Sequence, residues 1–345
     1  MKNLFVFYHR GDYDVGGLVR FLIKIFDLEK YRNILLDEYG FKVITSTDID
    51  ILGKSDDDFI QMLNNGDFPD SVVFGIHPYG LSLIYKISSE SRIKNRLKSA
   101  GWLNDPHFLA HYIKDRGEIV QRYTKRYVPP FLNNIDYLIT PSAVYFENLN
   151  ISEYAYKIVD IFYFLDPEKF DVLKSFGYRE RLDKIILSGS LGEGYTSRRH
   201  FNRLREESDG FYNIVDKLDH PGYKDNEHMT EMNYYRKLCE YKGAFVGHYD
   251  FPINFVLAKH IETLMCGCLS FFEPNILLQS QLGLKEFIHY IPCFKDGKMI
   301  EDPLFYKEWL ESDEGEKIAK VGQEYAMEKF GLDQIRKMFE FFDKC

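Results

Sequence analysis

The stretch Lys259-His260-Ile261-Glu262-Thr263-Leu264-Met265-Cys266-Gly267-Cys268 runs directly into Leu269-Ser270-Phe271-Phe272, which Glu273-Pro274-Asn275 closes. A mostly apolar segment that ends at a glycine is typical of a buried helix and its C-terminus. The short apolar run after it is typical of a strand buried on both faces. We therefore predict a helix-to-strand joint of a parallel α/β sheet, with one carboxylate, Glu262, on the helix.

The same alternation of strand and helix extends over the whole chain and predicts two parallel sheets flanked by helices. Strands are expected at 4–9, 41–46, 71–76, 99–103, 137–140 and 156–165, and then at 184–190, 211–215, 243–247, 269–272 and 289–292. Helices are expected at 17–38, 56–64, 81–98, 108–123, 197–207, 231–241, 255–265, 307–330 and 332–342.

The order of these elements predicts two α/β domains. A strand that restarts at Lys184 and runs into the glycine-rich turn Ser188-Gly189-Ser190 opens the second half. We place the first domain at 1–165, a linker at 166–180, the second domain at 181–330 and a C-terminal helix at 331–345. A length of 345 residues suits two domains of ordinary size.

Composition excludes several classes of protein. A hydrophobic content of 45% and a charged content of 28% describe a globular chain with a full core. The net charge of −9 argues against an extended nucleic-acid surface. No run of 18 apolar residues occurs, and the apolar start is too short for a signal peptide, so we expect no transmembrane segment. Five cysteines without paired C-x-x-C units indicate reduced thiols and a cytoplasmic location.

Two glycine-containing loops follow predicted strands and open helices. In the first, Gly16 and Gly17 would let the backbone approach a ligand, and Asp14 is the ionisable group nearest the tip. In the second, Ser190 precedes a helix that carries Arg198, whose planar fork suits a phosphate. The alternatives are a tight turn without a ligand and a solvated arginine. Neither loop has the spacing of the dinucleotide or Walker phosphate motif.

The helix that carries Glu262 contains two groups suited to a nucleotide. Glu262 could accept hydrogen bonds from both hydroxyls of a ribose, and Lys259, one turn earlier, could neutralise a phosphate. The alternative is a solvated carboxylate with Lys259 as its surface partner. Tyr249, after the strand 243–247, would lie where a nucleobase stacks.

The stretch from Lys259 to Gly267 resembles the donor-binding segment of the GT-B glycosyltransferases, especially the retaining group 1 (family four-like) transferases and their spore-coat and viral relatives. Gly16 and Gly17 resemble the Gly-Gly-Leu loop of that family. The resemblance implies two Rossmann-like domains that face a central cleft, with the C-terminal helix crossing back to the first. It also implies a donor on the second domain, bound by Arg198 and Lys259.

One position departs from the pattern of the resembled family. Its retaining members carry a first Glu eight residues before the second, and this chain has Asn254 there. An asparagine can still donate a hydrogen bond to a sugar hydroxyl, so we keep Asn254 as a donor-binding candidate.

Ionisable groups at strand ends of the first domain are candidates for a general base. They are His77, Asp105 and His107, together with Asp14. Asp105, His107 and His111 could instead hold a metal, although no H-E-x-x-H motif is present. Histidines bonded to their own loops are the structural alternative.

The sequence thus predicts a metal-independent, retaining transferase that moves a sugar from UDP-sugar or GDP-sugar to a glycan acceptor, without a further cofactor. Three alternatives stay open: an inverting transferase with a His or Asp base, a sugar-nucleotide epimerase or hydrolase, and a binding module without turnover.

Overall fold

The computed structural model describes residues 2–8, 29–45, 48, 56–66, 68, 70–76, 97–103, 132–141, 152–162, 177–192, 194–218, 231–250 and 256–345. They form two compact units, one of residues 1–162 with 335–345 and one of residues 163–334. The predicted linker at 166–180 falls largely outside the described residues, so that boundary stays a prediction. No described helix is long and apolar enough to cross a membrane.

The first unit is built on a six-stranded parallel sheet in the order β2-β1-β3-β4-β5-β6. All six residues of β3 are buried, as expected for a parallel strand covered on both faces. The strands are β1 (Lys2–Phe7), β2 (Phe41–Thr45), β3 (Ser71–Ile76), β4 (Leu97–Trp102), β5 (Tyr137–Thr140) and β6 (Ile158–Asp160). The described helices before Phe162 are α1 (Glu29–Tyr39), α2 (Asp56–Asn65) and a 3₁₀ helix (Ser152–Lys157).

The second unit contains a five-stranded parallel sheet in the order β11-β10-β9-β7-β8 and a two-stranded antiparallel hairpin. Its strands are β7 (Leu182–Ser188), β8 (Val215–Leu218), β9 (Tyr241–Val246), β10 (Leu269–Phe272), β11 (Ile291–Pro292), β12 (Phe294–Lys295) and β13 (Lys298–Met299). Its helices are a 3₁₀ turn (Tyr178–Glu180), α3 (Thr196–Glu207), α4 (Asp209–Ile214), α5 (Glu231–Cys239), α6 (Ala258–Met265), α7 (Ile276–Ser280), α8 (Pro303–Glu311) and α9 (Asp313–Phe330).

The helix-to-strand joint forms as the sequence predicts. Gly267, with φ of +69°, follows α6 and lets two backbone N–H groups return to the helix. Gly267 N donates to Leu264 O at 2.8 Å, and Cys268 N donates to Thr263 O at 3.0 Å. These two bonds satisfy carbonyls that a helix end leaves open. The turn sends the chain straight into β10, whose four residues are all buried.

Several predicted elements need correction. The segment 211–215, expected as a strand, is mainly α4, and β8 begins only at Val215. The single helix expected at 307–330 is two helices, separated at Ser312. The helix expected to reach Tyr241 ends at Cys239, because Tyr241 already pairs with Leu182 in the sheet. Of the strand expected at 156–165, the first two residues belong to the 3₁₀ helix, β6 covers Ile158–Asp160, and 163–165 lie outside the described residues.

The last helix, α10 (Leu332–Lys344), returns to the first unit as predicted. Phe342 is fully buried, and its ring meets the ring of Phe74 edge-on at 5.1 Å. Near its end, Lys2 Nζ lies 3.2 Å from a carboxylate oxygen of Asp343. This contact joins the first strand of the chain to its last helix.

Candidate functional site

The candidate site lies at the carboxyl edge of the second sheet, where β7, β9 and β10 end at Ser188, Val246 and Phe272. In open parallel sheets this edge is where ligands bind. Polar and charged side chains from the following loops and from α3, α5 and α6 meet here.

The side chains of two basic residues, Arg198 and Lys259, lie next to Gly189. It follows β7 directly and has φ of +106°, which side-chain-bearing residues rarely adopt. A Cβ atom added at Gly189 would lie 2.7 Å from Lys259 Cε and 3.0 Å from Arg198 Nη1. A glycine is therefore required both by the backbone conformation and by the approach of the two basic side chains.

Arg198 lies in the first turn of α3 and is only 2% exposed. Its Nη2 donates a hydrogen bond to Gly247 O at 3.1 Å, and its guanidinium carbon lies 4.4 Å from the centre of the Tyr195 ring. Its buried Nε–H has no hydrogen-bond partner among the described residues. Burial lowers the pKa of Arg198, yet an arginine starts so high that it stays charged. The alternative of a solvated Arg198 is thus wrong.

Lys259 approaches the same point from α6. Its Nζ donates to Tyr234 Oη at 2.8 Å and, at 3.4 Å, to Ser188 Oγ. It also lies 3.8 Å from a carboxylate oxygen of Glu262. The pKa of Lys259 is lowered to about 8, mainly by burial, with the charge of Glu262 opposing the shift and the charge of Arg198 adding to it. Near neutral pH the site thus holds two cations, the buried Arg198 and the largely buried Lys259, whose side chain is 12% exposed.

Glu262 is buried with the rest of its helix turn, with 8% of its surface exposed. It shares α6 with Lys259, so the ion pair between them is not the surface pair considered as an alternative. Buried carboxylates are rare unless charged or hydrogen-bonding partners surround them. The Glu262 carboxylate therefore lies near Lys259 and Arg198, at the carboxyl edge of the second sheet.

A second polar cluster holds the start of α3 against the loop after β9. Asp250 accepts hydrogen bonds from Thr196 N at 3.1 Å and from Thr196 Oγ1 at 2.8 Å. Glu273, just after β10, accepts from Ser197 Oγ at 2.7 Å and from His248 N at 3.1 Å. Burial raises the pKa of Glu273 and lowers the pKa of His248 to about 4. These bonds fix the helix turn that carries Arg198.

Tyr249 and Ser190 take part in loop packing. Tyr249 is 7% exposed, and its ring meets the ring of Tyr195 edge-on at 5.0 Å. It also packs against Gly194, where an added Cβ would overlap the Tyr249 ring. Ser190 Oγ accepts a hydrogen bond from Gly192 N at 3.0 Å. Both residues therefore shape the loop between β7 and α3.

The structure brings together those second-unit candidates that lie within the described residues. Arg198, Lys259 and Glu262 converge, with Ser190 and Tyr249 in the adjoining loops. The remaining candidates lie outside the described residues: Asp14, Gly16, Gly17, His77, Asp105, His107 and Asn254. Their roles stay predictions.

The sequence analysis overlooked three residues of the site: Ser188, Tyr234 and Glu273. Glu273 carried a signal, since a carboxylate directly after a buried strand lies at the ligand-binding edge. Tyr234 carried none, because a tyrosine within an amphipathic helix is typical of a core residue. Within the described ranges, no group of three or more His, Cys, Asp or Glu side chains has an arrangement that could hold a metal ion.

Comparison with solved structures finds proteins of similar architecture. HepE of Anabaena, in complex with UDP and glucose, is 12% identical over 100% of both chains, with a TM-score of 0.61. Sucrose-phosphate synthase of Thermosynechococcus elongatus is 10% identical over 100% of this chain and 99% of its own, with a TM-score of 0.62. An alpha-glucosyltransferase in complex with UDP-glucose and DNA is 10% identical over 99% of both chains, also at 0.62.

Sequence comparison alone finds no match, either to a family or to a curated protein. The similarity to the solved structures is therefore one of fold, and it extends over the whole chain. The fold consists of two Rossmann-like units with parallel sheets of six and five strands. A last helix packs on the first unit. The chain has the GT-B fold.

Proposed function

We propose that the chain is a glycosyltransferase that moves a sugar from a nucleoside diphosphate sugar, UDP- or GDP-linked, to a hydroxyl group of a glycan or glycoconjugate. In this reaction the bond between the sugar's anomeric carbon and the diphosphate breaks. A bond to the acceptor oxygen forms, and the acceptor proton is released. The diphosphate leaves with more negative charge than it had as an ester, so the catalyst must stabilise that charge.

The observation that carries the proposal is the convergence of two cations, the buried Arg198 and the largely buried Lys259, beside Gly189. Arg198 and Lys259 come from different helices to the carboxyl edge of the sheet, and Arg198 keeps a buried N–H for which the described residues offer no acceptor. A buried donor of this kind is costly unless a ligand satisfies it. An anionic diphosphate would supply the acceptor oxygens and offset both charges.

Glu262 completes the proposed donor site. Its carboxylate lies on α6 near Lys259, where it would accept hydrogen bonds from the two ribose hydroxyls. Ser190 and Tyr249 in the neighbouring loops, with Asn254, Gly16 and Gly17, are the further donor-binding residues that we propose. The cations would do the work that a divalent ion does in other transferases, so we propose a metal-independent reaction.

We propose retention of the anomeric configuration, on the resemblance of the segment from Lys259 to Gly267 to the retaining transferases. The competing assignment is inversion, with Asp14, His77, Asp105 or His107 as the base that takes the acceptor proton. A cytoplasmic location is part of the proposal, supported by the free state of all five cysteines.

A nucleotide-sugar screen tests the donor. Thermal unfolding with UDP-, GDP-, ADP- and CMP-sugars should show one nucleotide that raises the melting temperature, because a ligand of the native state stabilises it. Glu262→Gln should weaken binding of that nucleotide by about 1.5–3 kcal/mol, the range for a hydrogen bond to a charged group. Glu308→Gln, at an exposed position of α8, is the matched control and should bind like the wild type.

Turnover separates the proposal from its alternatives. Transfer to an acceptor that survives EDTA, with an unchanged anomeric configuration by NMR, is the expected result. Loss of activity on chelation would contradict the metal-independent mechanism, and an inverted product would contradict retention. Conversion of the nucleotide sugar without an acceptor would identify an epimerase or hydrolase. Binding without any turnover would identify a binding module.

A further inference from the structure

Tyr234 is a buried residue that contacts Lys259 and Ser188 of the candidate site and has no role in the proposed reaction so far. It lies on α5 and is 2% exposed. Its hydroxyl is 2.8 Å from Lys259 Nζ and 2.9 Å from Ser188 Oγ. Lys259 Nζ also lies 4.7 Å from the centre of its ring. The two distances place the ammonium group at the Tyr234 hydroxyl, beyond the edge of the ring.

The distances around Lys259 show which contact holds its ammonium group. Among the described residues, the nearest carboxylate oxygen is on Glu262, 3.8 Å away and beyond hydrogen-bond range. Ser188 Oγ is at 3.4 Å, and of the atoms in the described part of the chain only Tyr234 Oη lies at the distance of a strong hydrogen bond. The Tyr234 hydroxyl accepts from Lys259 and is free to donate its own proton to Ser188 at the end of β7.

Without this contact, the charges of the site would push the ammonium group away. Arg198 and Lys259 both approach Gly189, and like charges at such a separation repel each other in a buried site. A long, flexible lysine side chain relieves such repulsion by turning elsewhere. The Tyr234 hydroxyl counters this, since it holds the ammonium group while leaving Lys259 further donors for a ligand.

We propose that Tyr234 is a positioning residue of the donor site: its hydroxyl holds the Lys259 ammonium group beside Arg198, where the two cations together bind the diphosphate. This inference rests on the proposed function, because it assigns Lys259 to the same diphosphate. The new element is the role of α5: Tyr234 on this helix holds Lys259 in place, although α5 lies outside the motif from Lys259 to Gly267.

The charged and titratable groups that face Lys259 set the expected pH dependence. Within the described ranges they are Glu262 on its own helix, Arg198 on α3 and Tyr234 on α5, and burial keeps Tyr234 neutral by raising its pKa. The pKa of Lys259 is already lowered to about 8, so diphosphate affinity should fall as the pH rises through that value. Loss of the Tyr234 acceptor disfavours the charged lysine and moves this fall to lower pH.

The test measures the affinity of UDP and of GDP by calorimetry between pH 6 and pH 9.5 for the wild type, Tyr234→Phe and Tyr306→Phe. Tyr234→Phe keeps the ring and removes only the hydroxyl. Its affinity should begin to fall at a pH lower by about one unit, since about 1.4 kcal/mol of lost contact corresponds to one pKa unit. Tyr306 is a fully buried tyrosine whose hydroxyl donates to Ile300 O, so its variant controls for general destabilisation.

A second measurement needs no nucleotide. Reductive ¹³C-methylation labels the lysines, Lys259→Arg identifies the Lys259 signal, and NMR then follows its titration. A lower pKa of Lys259 in Tyr234→Phe, but not in Tyr306→Phe, is the expected result. An unmoved titration and an unmoved affinity profile would overturn the inference even if the wild type binds UDP or GDP. A wild type that binds neither nucleotide would overturn the proposed function and this inference together.

Discussion

At the scale of single residues, Gly189 links the backbone to the chemistry of the site. Its φ of +106° turns the chain as it leaves β7. Because Gly189 has no side chain, Arg198 and Lys259 can both lie close to its Cα. Gly297 offers a comparison, because it also has a positive φ, +74°, but an added Cβ would meet no atom within 4 Å. Substitutions at the two glycines therefore distinguish the effect of backbone strain from the effect of displacing the cations.

Gly189→Ala should lower both stability and donor affinity. Strain at this φ costs about 1–3 kcal/mol, and the added methyl group also displaces Lys259 or Arg198. Gly297→Ala should show a strain cost of about 1–2 kcal/mol and an unchanged affinity. Urea unfolding and UDP calorimetry on both variants provide the measurement. Equal affinity of the two variants would mean that the cations do not need to approach Gly189 for binding.

His260, next to Lys259 on α6, should make the second unit sensitive to acid. It is fully buried, Leu257 N donates to its Nδ1 at 3.2 Å, and burial lowers its pKa to about 3. Between pH 6.5 and pH 3 the unfolded chain binds a proton that the folded chain excludes, so the free energy of unfolding falls as the pH falls. The loss reaches at most about 2 kcal/mol at pH 5.

The variant His260→Asn tests this, since asparagine keeps an acceptor near the position of Nδ1 and does not titrate. Unfolding by urea at pH 7, 6 and 5 should show a smaller loss of stability with falling pH than in the wild type. We expect the variant to be less stable than the wild type at pH 7, because it loses the edge-on contact between the His260 and Phe272 rings, whose centres are 4.8 Å apart. Parallel pH profiles for the two proteins would be evidence against a neutral, buried His260.

At the scale of elements, the orientation of Arg198 depends on how α3 begins. Asp250 accepts from both the N–H and the hydroxyl of Thr196, and thereby caps the helix from the loop after β9. Asp302 performs a similar function for α8, where its carboxylate accepts from Leu304 N at 2.9 Å. The two caps share their chemistry and differ in that only the first adjoins the candidate site.

Asp250→Ala and Asp302→Ala should each lower the free energy of unfolding by about 0.5–2 kcal/mol, the usual cost of a lost cap. Only Asp250→Ala should also weaken UDP binding, because only its helix carries Arg198. Chemical unfolding and calorimetry on the pair supply the comparison. If both variants bind UDP as tightly as the wild type, the start of α3 does not set the position of Arg198.

The elements also show what the sequence could predict. The joint of α6, Gly267 and β10 was predictable, because a helix end and a buried strand each have local signals. The segment 211–215 was not: its aromatic and β-branched residues favour a strand, but Phe211 and Ile214 share one helix face and pack into the core. The break at Ser312 had a signal, since Ser312 precedes acidic residues and its Oγ accepts from Gly315 N.

At the scale of the whole molecule, two units each hold their own parallel sheet, and the alternation of strands and helices was sufficient to predict that arrangement. The candidate site was only partly predictable. Residues next to one another in a motif, such as Lys259 and Glu262, were found. Contacts between distant segments, such as Tyr234 with Lys259 and Ser197 with Glu273, depend on packing of separate elements, which one sequence does not encode in any local pattern.

The return of α10 to the first unit has a consequence for how the molecule unfolds. Phe342 is fully buried and packs on Phe74 in β3, so Phe342→Ala should cost about 3–5 kcal/mol. The loss should fall on the first unit, because residues 335–345 group with it. Hydrogen exchange should show faster exchange in β1 and β3 and unchanged protection in β7 and β9. Leu304→Ala, at a side chain 61% exposed on α8, is the control and should change little. Equal loss of protection in both sheets would show that the two units unfold as one.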